Sequence, residues 1–274
     1  METLILQLPG FSAEETFSCG QCFRWRKAAD GGYDGFVAAA RVWATPVAQG
    51  LRLESERPLD PALMGGYFCE DVDYSELFRC FKEDEMLSRA IEYAPGIRVL
   101  RQPLFETLLS FIISQNNNIP RISGIIERFC DCFGAPCGDR CAFPQPYALA
   151  AADADALRPL RCGFRERYLL DAIRCFCSGE IDGNSLRSLP LAQARAQLMR
   201  INGVGPKIAD CTLLFGAGRW DAFPQDVWIK RMMSEYYPNG LPDYILPYAG
   251  IAQQYLFHYA RTSGLFCEKH KQLI

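Results

Sequence analysis

Lys207 and Asp226 are the residues whose types and surroundings could do chemistry. Lys207 falls one residue inside the helix predicted to follow Asn202-Gly203-Val204-Gly205, a tight turn that glycine permits. Pro206 holds the first helical position, where its missing N–H would have no partner anyway. The partial positive charge at a helix N-terminus favours the neutral amine at Lys207, and a neutral amine is a nucleophile able to form a Schiff base with a carbonyl-like carbon. Asp226 follows Phe223-Pro224-Gln225 and precedes an apolar-periodic run of Val227, Met232, Met233 and Tyr236, so it reads as a helix N-cap. A carboxylate fixed there could stabilise a developing cation. Each feature also has a purely structural reading: Gly-Val-Gly precedes many helices that do no chemistry, and an Asp N-cap is more often only a cap.

The element that must position Lys207 is a helix-hairpin-helix over 198–215. The apolar spacing up to Ile201 ends one helix, and Gly203 and Gly205 shape a turn whose successive backbone N–H groups face outward at the N-terminus of the next. That arrangement suits one phosphate of a nucleic-acid backbone. A sugar carbon on such a backbone becomes an electrophile once its base has left, which is what a neutral Lys207 would need.

Upstream, residues 1–68 alternate short β-prone stretches (Leu4 to Leu8, Gln21 to Lys27, Tyr33 to Ala38, Arg41 to Pro46, Gly50 to Glu54) with turns such as Asp30-Gly31-Gly32. Beyond Tyr67, Ser75 to Tyr93 and Pro103 to Ser114 carry apolar residues at helical spacing, and helices dominate to the end. The expected fold class is α+β. An N-terminal antiparallel β domain with trailing helices (1–94) leads into a mainly α-helical body (95–274).

The chain has 274 residues, 49% of them hydrophobic, enough for one large or two modest cores. No apolar run is long enough to span a bilayer, and Met1 to Gly10 lacks a basic signal-peptide start, so an intracellular protein is expected. The net charge is −3, so any nucleic-acid face must be a local basic patch on an acidic surface. Thirteen cysteines, an odd number often set in apolar helical runs, read as reduced and buried. Cys130, Cys132, Cys137 and Cys141 fit neither a paired zinc spacing nor a ferredoxin run, so no metal is assigned to them.

Gly203-Val204-Gly205-Pro206-Lys207 with Asp226 resembles the helix-hairpin-helix DNA glycosylases, and four further stretches narrow the resemblance to 8-oxoguanine DNA glycosylases. Ser18-Cys19-Gly20-Gln21-Cys22-Phe23-Arg24-Trp25 is similar to their lesion-reading turn, Gln115-Asn116-Asn117-Asn118-Ile119-Pro120-Arg121 to their void-filling loop, and Cys162-Gly163-Phe164-Arg165-Glu166-Arg167-Tyr168 to their wedge. The last is the helix after Pro247, where Gln253 and Phe257 share a face. The resemblance runs from about residue 17 to 261. It implies a nucleophile at Lys207, a catalytic carboxylate at Asp226, and a Gly20 carbonyl that accepts from the N7–H found in 8-oxoguanine and not in guanine. It implies that Gln253 bonds the Watson–Crick edge while Phe257 and Cys211 sandwich the base. Asn116, Arg121 and Arg165 would contact the orphaned cytosine, with Phe164 as the wedge.

The resemblance implies a bifunctional glycosylase and AP lyase acting on double-stranded DNA as a monomer, without redox cofactor or catalytic metal, although hairpin carbonyls could hold a structural cation. Only Cys267 lies beyond Asp226, so the four-cysteine iron–sulfur cluster of some relatives is not expected. The chain departs from the family at Trp228, where eukaryotic members carry a phosphate-binding His, and at Ala260, where they carry its acidic partner. Phe164 replaces a tyrosine. The short length and Trp228 suggest a bacterial, cytoplasmic protein. Two alternatives stay open: a glycosylase for another damaged base, and a non-catalytic damage-binding protein.

Overall fold

The computed structural model describes residues 1–266. Five strands make one antiparallel sheet in the order β1-β5-β4-β3-β2: β1 (Glu2–Gln7), β2 (Arg26–Lys27), β3 (Tyr33–Val37), β4 (Ala40–Val47) and β5 (Gly50–Ser55). Leu4 sits opposite Leu53 and Leu6 opposite Leu51. Leu6, Val42, Ala44, Leu51 and Leu53 are buried with Phe17 of α1 (Ala13–Ser18) and with Met64 and Phe68 of α2 (Pro61–Tyr67) and its C-cap. This is the half-buried sheet that the alternating pattern predicts.

Two local expectations are corrected. Gln21 to Lys27 reads as a strand, but only its last two residues pair, because the Gln21 side chain turns inward. Its Nε2 donates to the Arg98 carbonyl at 2.8 Å and its Oε1 accepts from Leu100 N at 2.8 Å. Ser75 to Tyr93 reads as one helix and forms two, α3 (Tyr74–Phe81) and α4 (Glu85–Tyr93), because Asp84 caps the second by accepting from Leu87 N at 2.8 Å. Both helices, which a boundary at 94 groups with the sheet, bury Leu77, Phe81, Leu87 and Ile91 in the helical core.

That body comprises α5 (Leu104–Ser114), α6 (Ile119–Phe133), a small hairpin of β6 (Pro136–Cys137) and β7 (Arg140–Cys141), α7 (Ala154–Leu157), α8 (Glu166–Cys177), α9 (Gly183–Ser188), α10 (Leu191–Leu198), α11 (Pro206–Ala217), α12 (Val227–Tyr236) and α13 (Ala249–Thr262). At its centre α5 and α11 pack with the rings of Phe111 and Phe215 stacked at 5.5 Å. The sheet meets the body through ion pairs. Arg140 of β7 reaches Asp34 of β3 at 3.2 Å and Glu127 of α6 at 2.6 Å, and the Arg24 guanidinium lies over the Phe36 ring.

Among the described residues no helix is long and apolar enough to cross a membrane, and no group of His, Cys, Asp or Glu is placed to hold a metal ion. The twelve described cysteines are all free thiols, and Cys267 lies outside the described residues.

Candidate active site

The hairpin forms as the glycines require. Gly203 has φ +80, and a Cβ there would stand 2.3 Å from the Tyr168 ring, so both conformation and close approach demand glycine. Asp171 of α8 secures the turn by accepting from the Asn202 backbone N–H at 2.8 Å and its side-chain amide at 2.9 Å. Gly205 is the N-cap of α11, and Pro206 begins the helix. Lys207 is therefore delivered, half-buried, by the first turn of a helix whose remaining length is core. Its Nζ lies 5.2 Å from the centre of the Phe111 ring.

Asp226 is the N-cap of α12, accepting from Ile229 N at 2.9 Å, so one oxygen is fixed by the helix it starts. Lys207 and Asp226 line one cavity with Gly20, Cys211, Gln253 and Phe257, together with Phe111, Phe215, Pro224 and Gln254. Chain regions as far apart in sequence as Gly20 and Phe257 thus meet at one point. Burial pushes the Cys211 thiol up to about 11, opposed by Lys207 through charge and a hydrogen bond, so this side chain faces the cavity as a neutral thiol. Gln253 is 5% exposed, and its Oε1 is buried with no hydrogen-bond partner among the described residues. Gly20 has φ +86, and a Cβ there would stand 3.5 Å from the Phe257 ring. Behind it, Gln254 Nε2 donates to the Cys19 carbonyl at 3.0 Å, tying this turn to α13.

A second group lies outside the cavity. Asn116 (φ +48) is exposed on the loop between α5 and α6, Arg121 is exposed in the first turn of α6, and Phe164 is 49% exposed before α8. Arg165 is buried, with Nε donating to the Gln115 carbonyl at 2.9 Å, Nη1 to Cys162 at 3.0 Å and Nη2 to Asn116 at 3.3 Å. In this state its guanidinium is occupied with loop carbonyls rather than projecting outward. The Tyr168 ring packs against Phe164 at 5.9 Å and lies close against Gly203, so the Phe164 segment and the hairpin share a wall. At the departures from the family pattern, Trp228 stacks on Phe266 at 6.3 Å and Ala260 is buried.

The residue-type reading missed Phe111 and Phe215, whose apolar helical spacing marks core equally well. It also missed Arg261, whose guanidinium lies 5.0 Å from the centre of the Phe257 ring.

A helix-hairpin-helix that sets Lys207 in one cavity with Asp226, Cys211 and Phe257 is the architecture of the helix-hairpin-helix class of DNA glycosylase. Residues 109–243 match the HhH-GPD superfamily of base excision DNA repair proteins, and residues 53–108 match the 8-oxoguanine DNA glycosylase N-terminal domain. The chain is 30% identical over 254 residues to an Arabidopsis thaliana protein named N-glycosylase/DNA lyase OGG1, aligning with 83% of this chain and 66% of that one. It superposes on MBOgg1, solved with a low-affinity DNA ligand, at a TM-score of 0.88 and 37% identity, covering 96% of this chain and 100% of that one. On the Clostridium acetobutylicum 8-oxoguanine glycosylase/lyase, solved with DNA containing cytosine opposite 8-oxoguanine, the TM-score is 0.85 at 31% identity, with 94% of each chain covered. The chain belongs to the HhH-GPD superfamily, in its 8-oxoguanine DNA glycosylase/lyase branch.

Proposed function

We propose that this protein is a bifunctional glycosylase and lyase that excises 8-oxoguanine from duplex DNA by amine catalysis. The observation that carries the reading is the convergence of Lys207, Asp226, Gly20, Cys211, Gln253 and Phe257 on one cavity, with a Gln253 oxygen in its wall that has no partner among the described residues. A flipped base inserted there stacks on Phe257, meets the Gln253 amide along its Watson–Crick edge, and presents N7–H to the Gly20 carbonyl. That donor is what separates the lesion from guanine, whose N7 lone pair would face the same carbonyl and be repelled.

The neutral Lys207 amine attacks C1′ as the glycosidic bond breaks and its electron pair leaves with the base. Asp226 stabilises the positive charge on the sugar. Loss of a proton from the nitrogen and opening of the ring give the Schiff base, after which removal of a C2′ proton expels the 3′ phosphate and nicks the strand. Asn116, Arg121 and Phe164 fill the gap in the duplex, which offsets part of the few kcal/mol that flipping costs. The reading carries a monomer at work on bacterial nucleoid DNA, with α3 and α4 counted in the glycosylase body whose core they share.

Borohydride trapping on duplexes with one 8-oxoguanine opposite each of the four bases tests this. A covalent adduct is expected, absent in Lys207→Gln, which should still bind lesion duplexes. A fully active Lys207→Gln would remove Lys207 as nucleophile. Tight binding with no adduct on any duplex would favour a damage-binding protein, and adducts only on duplexes carrying an alkylated base or oxidised pyrimidine would favour another lesion.

A further inference from the structure

Arg261 stands one turn beyond Phe257 on α13 and takes no part in the chemistry above. Its guanidinium makes two contacts and one close approach, to Ser18, Phe257 and Gly20. Nη2 donates to the Ser18 carbonyl at 3.1 Å. The guanidinium carbon lies 5.0 Å from the centre of the Phe257 ring. Nη1 stands 3.1 Å from the point a Gly20 Cβ would occupy. Arg261 does not itself line the cavity.

We propose that Arg261 is a positioning residue for lesion recognition, holding the Gly20 turn and the Phe257 ring in fixed relation so that backbone acceptor and stacking face meet the same inserted base. The inference rests on the reading of this cavity as a base pocket. The Gly20 turn lies between α1 and β2 and is anchored from inside by Gln254. Arg261 supplies the outer anchor through Ser18, two residues before the glycine. Phe257 is half-buried, and a cation against its ring limits the swing that its broad ring torsion otherwise allows. A planar guanidinium can serve a carbonyl and a ring together. Lysine keeps the charge and a donor, and methionine keeps only the apolar stem.

The test compares Arg261→Met and Arg261→Lys with the unaltered protein in two assays: excision from a duplex bearing one 8-oxoguanine, and strand cleavage of a duplex that already carries an abasic site. Arg261→Met should raise KM for the lesion duplex roughly tenfold, with the saturated rate unchanged. Arg261→Lys should recover most of that loss. Cleavage of the abasic duplex should stay unchanged in both, because no base has to be received. An Arg261→Met protein with unaltered KM would overturn the proposal, as would one losing abasic cleavage in the same proportion as excision. If the unaltered protein cuts neither duplex, the base-pocket reading fails and takes this inference with it, a result distinct from either variant outcome.

Discussion

Gln253, which the proposed reading sets against the inserted base, is held at a cost. Among the described residues its Oε1 is buried without a partner, a state that costs about 1–3 kcal/mol before any base is present. Gln253→Leu should therefore melt at a higher temperature, by roughly 2–4 °C per kcal/mol recovered, while excision falls by an order of magnitude or more. Thermal melting and single-turnover excision on the same preparation check both halves, and a leucine variant that gains stability without losing excision would remove Gln253 from recognition. At this scale the cavity was legible in the sequence where chemistry leaves a local mark: a glycine turn before a lysine, a carboxylate before a helix, a Gln and a Phe four apart. Arg165 and Arg261 were harder to place because their partners, Gln115 and Ser18, lie 50 and 243 residues away. No local pattern reports a guanidinium that crosses the fold to reach a carbonyl.

The hairpin is the element on which the site depends. Gly203→Ala would force a Cβ against the Tyr168 ring in a left-handed conformation, a strain of about 1–3 kcal/mol. The expected outcome is a lower melting temperature and weaker binding to abasic duplexes of any sequence, read by melting and by fluorescence anisotropy. Unchanged binding would mean that the turn does not grip the backbone. Helix ends were legible where caps declare them, as at Asp226 and Pro206. The break between α3 and α4 was obscured because Asp84 is one acidic residue among several in a continuous helical pattern. α1 was missed because six residues give too short a period to distinguish from a turn.

The whole molecule joins two cores through buried charge, and one carboxyl in this region makes its stability depend on pH. Burial, opposed by Arg24 and reinforced by Glu127, pushes Glu106 up to about 7 from its ordinary 4.5. The folded protein then holds a proton that the unfolded chain has released, so stability falls as pH rises between those values. Glu106→Gln should raise the melting temperature at about pH 8 and change it far less at about pH 5, flattening that dependence. Equal shifts at both pH values would mean the carboxyl is not titrating in this window. The Arg165 tie has a consequence on the same scale. Because one guanidinium binds carbonyls in both the α5–α6 loop and the segment before α8, the two segments proposed to enter the duplex are already set relative to each other. Their ordering entropy is lost once, in folding, and not again at every encounter. For a protein that must pass a vast excess of intact base pairs before meeting a damaged one, a preset probe shortens each inspection and so sets how much of the genome one molecule can patrol.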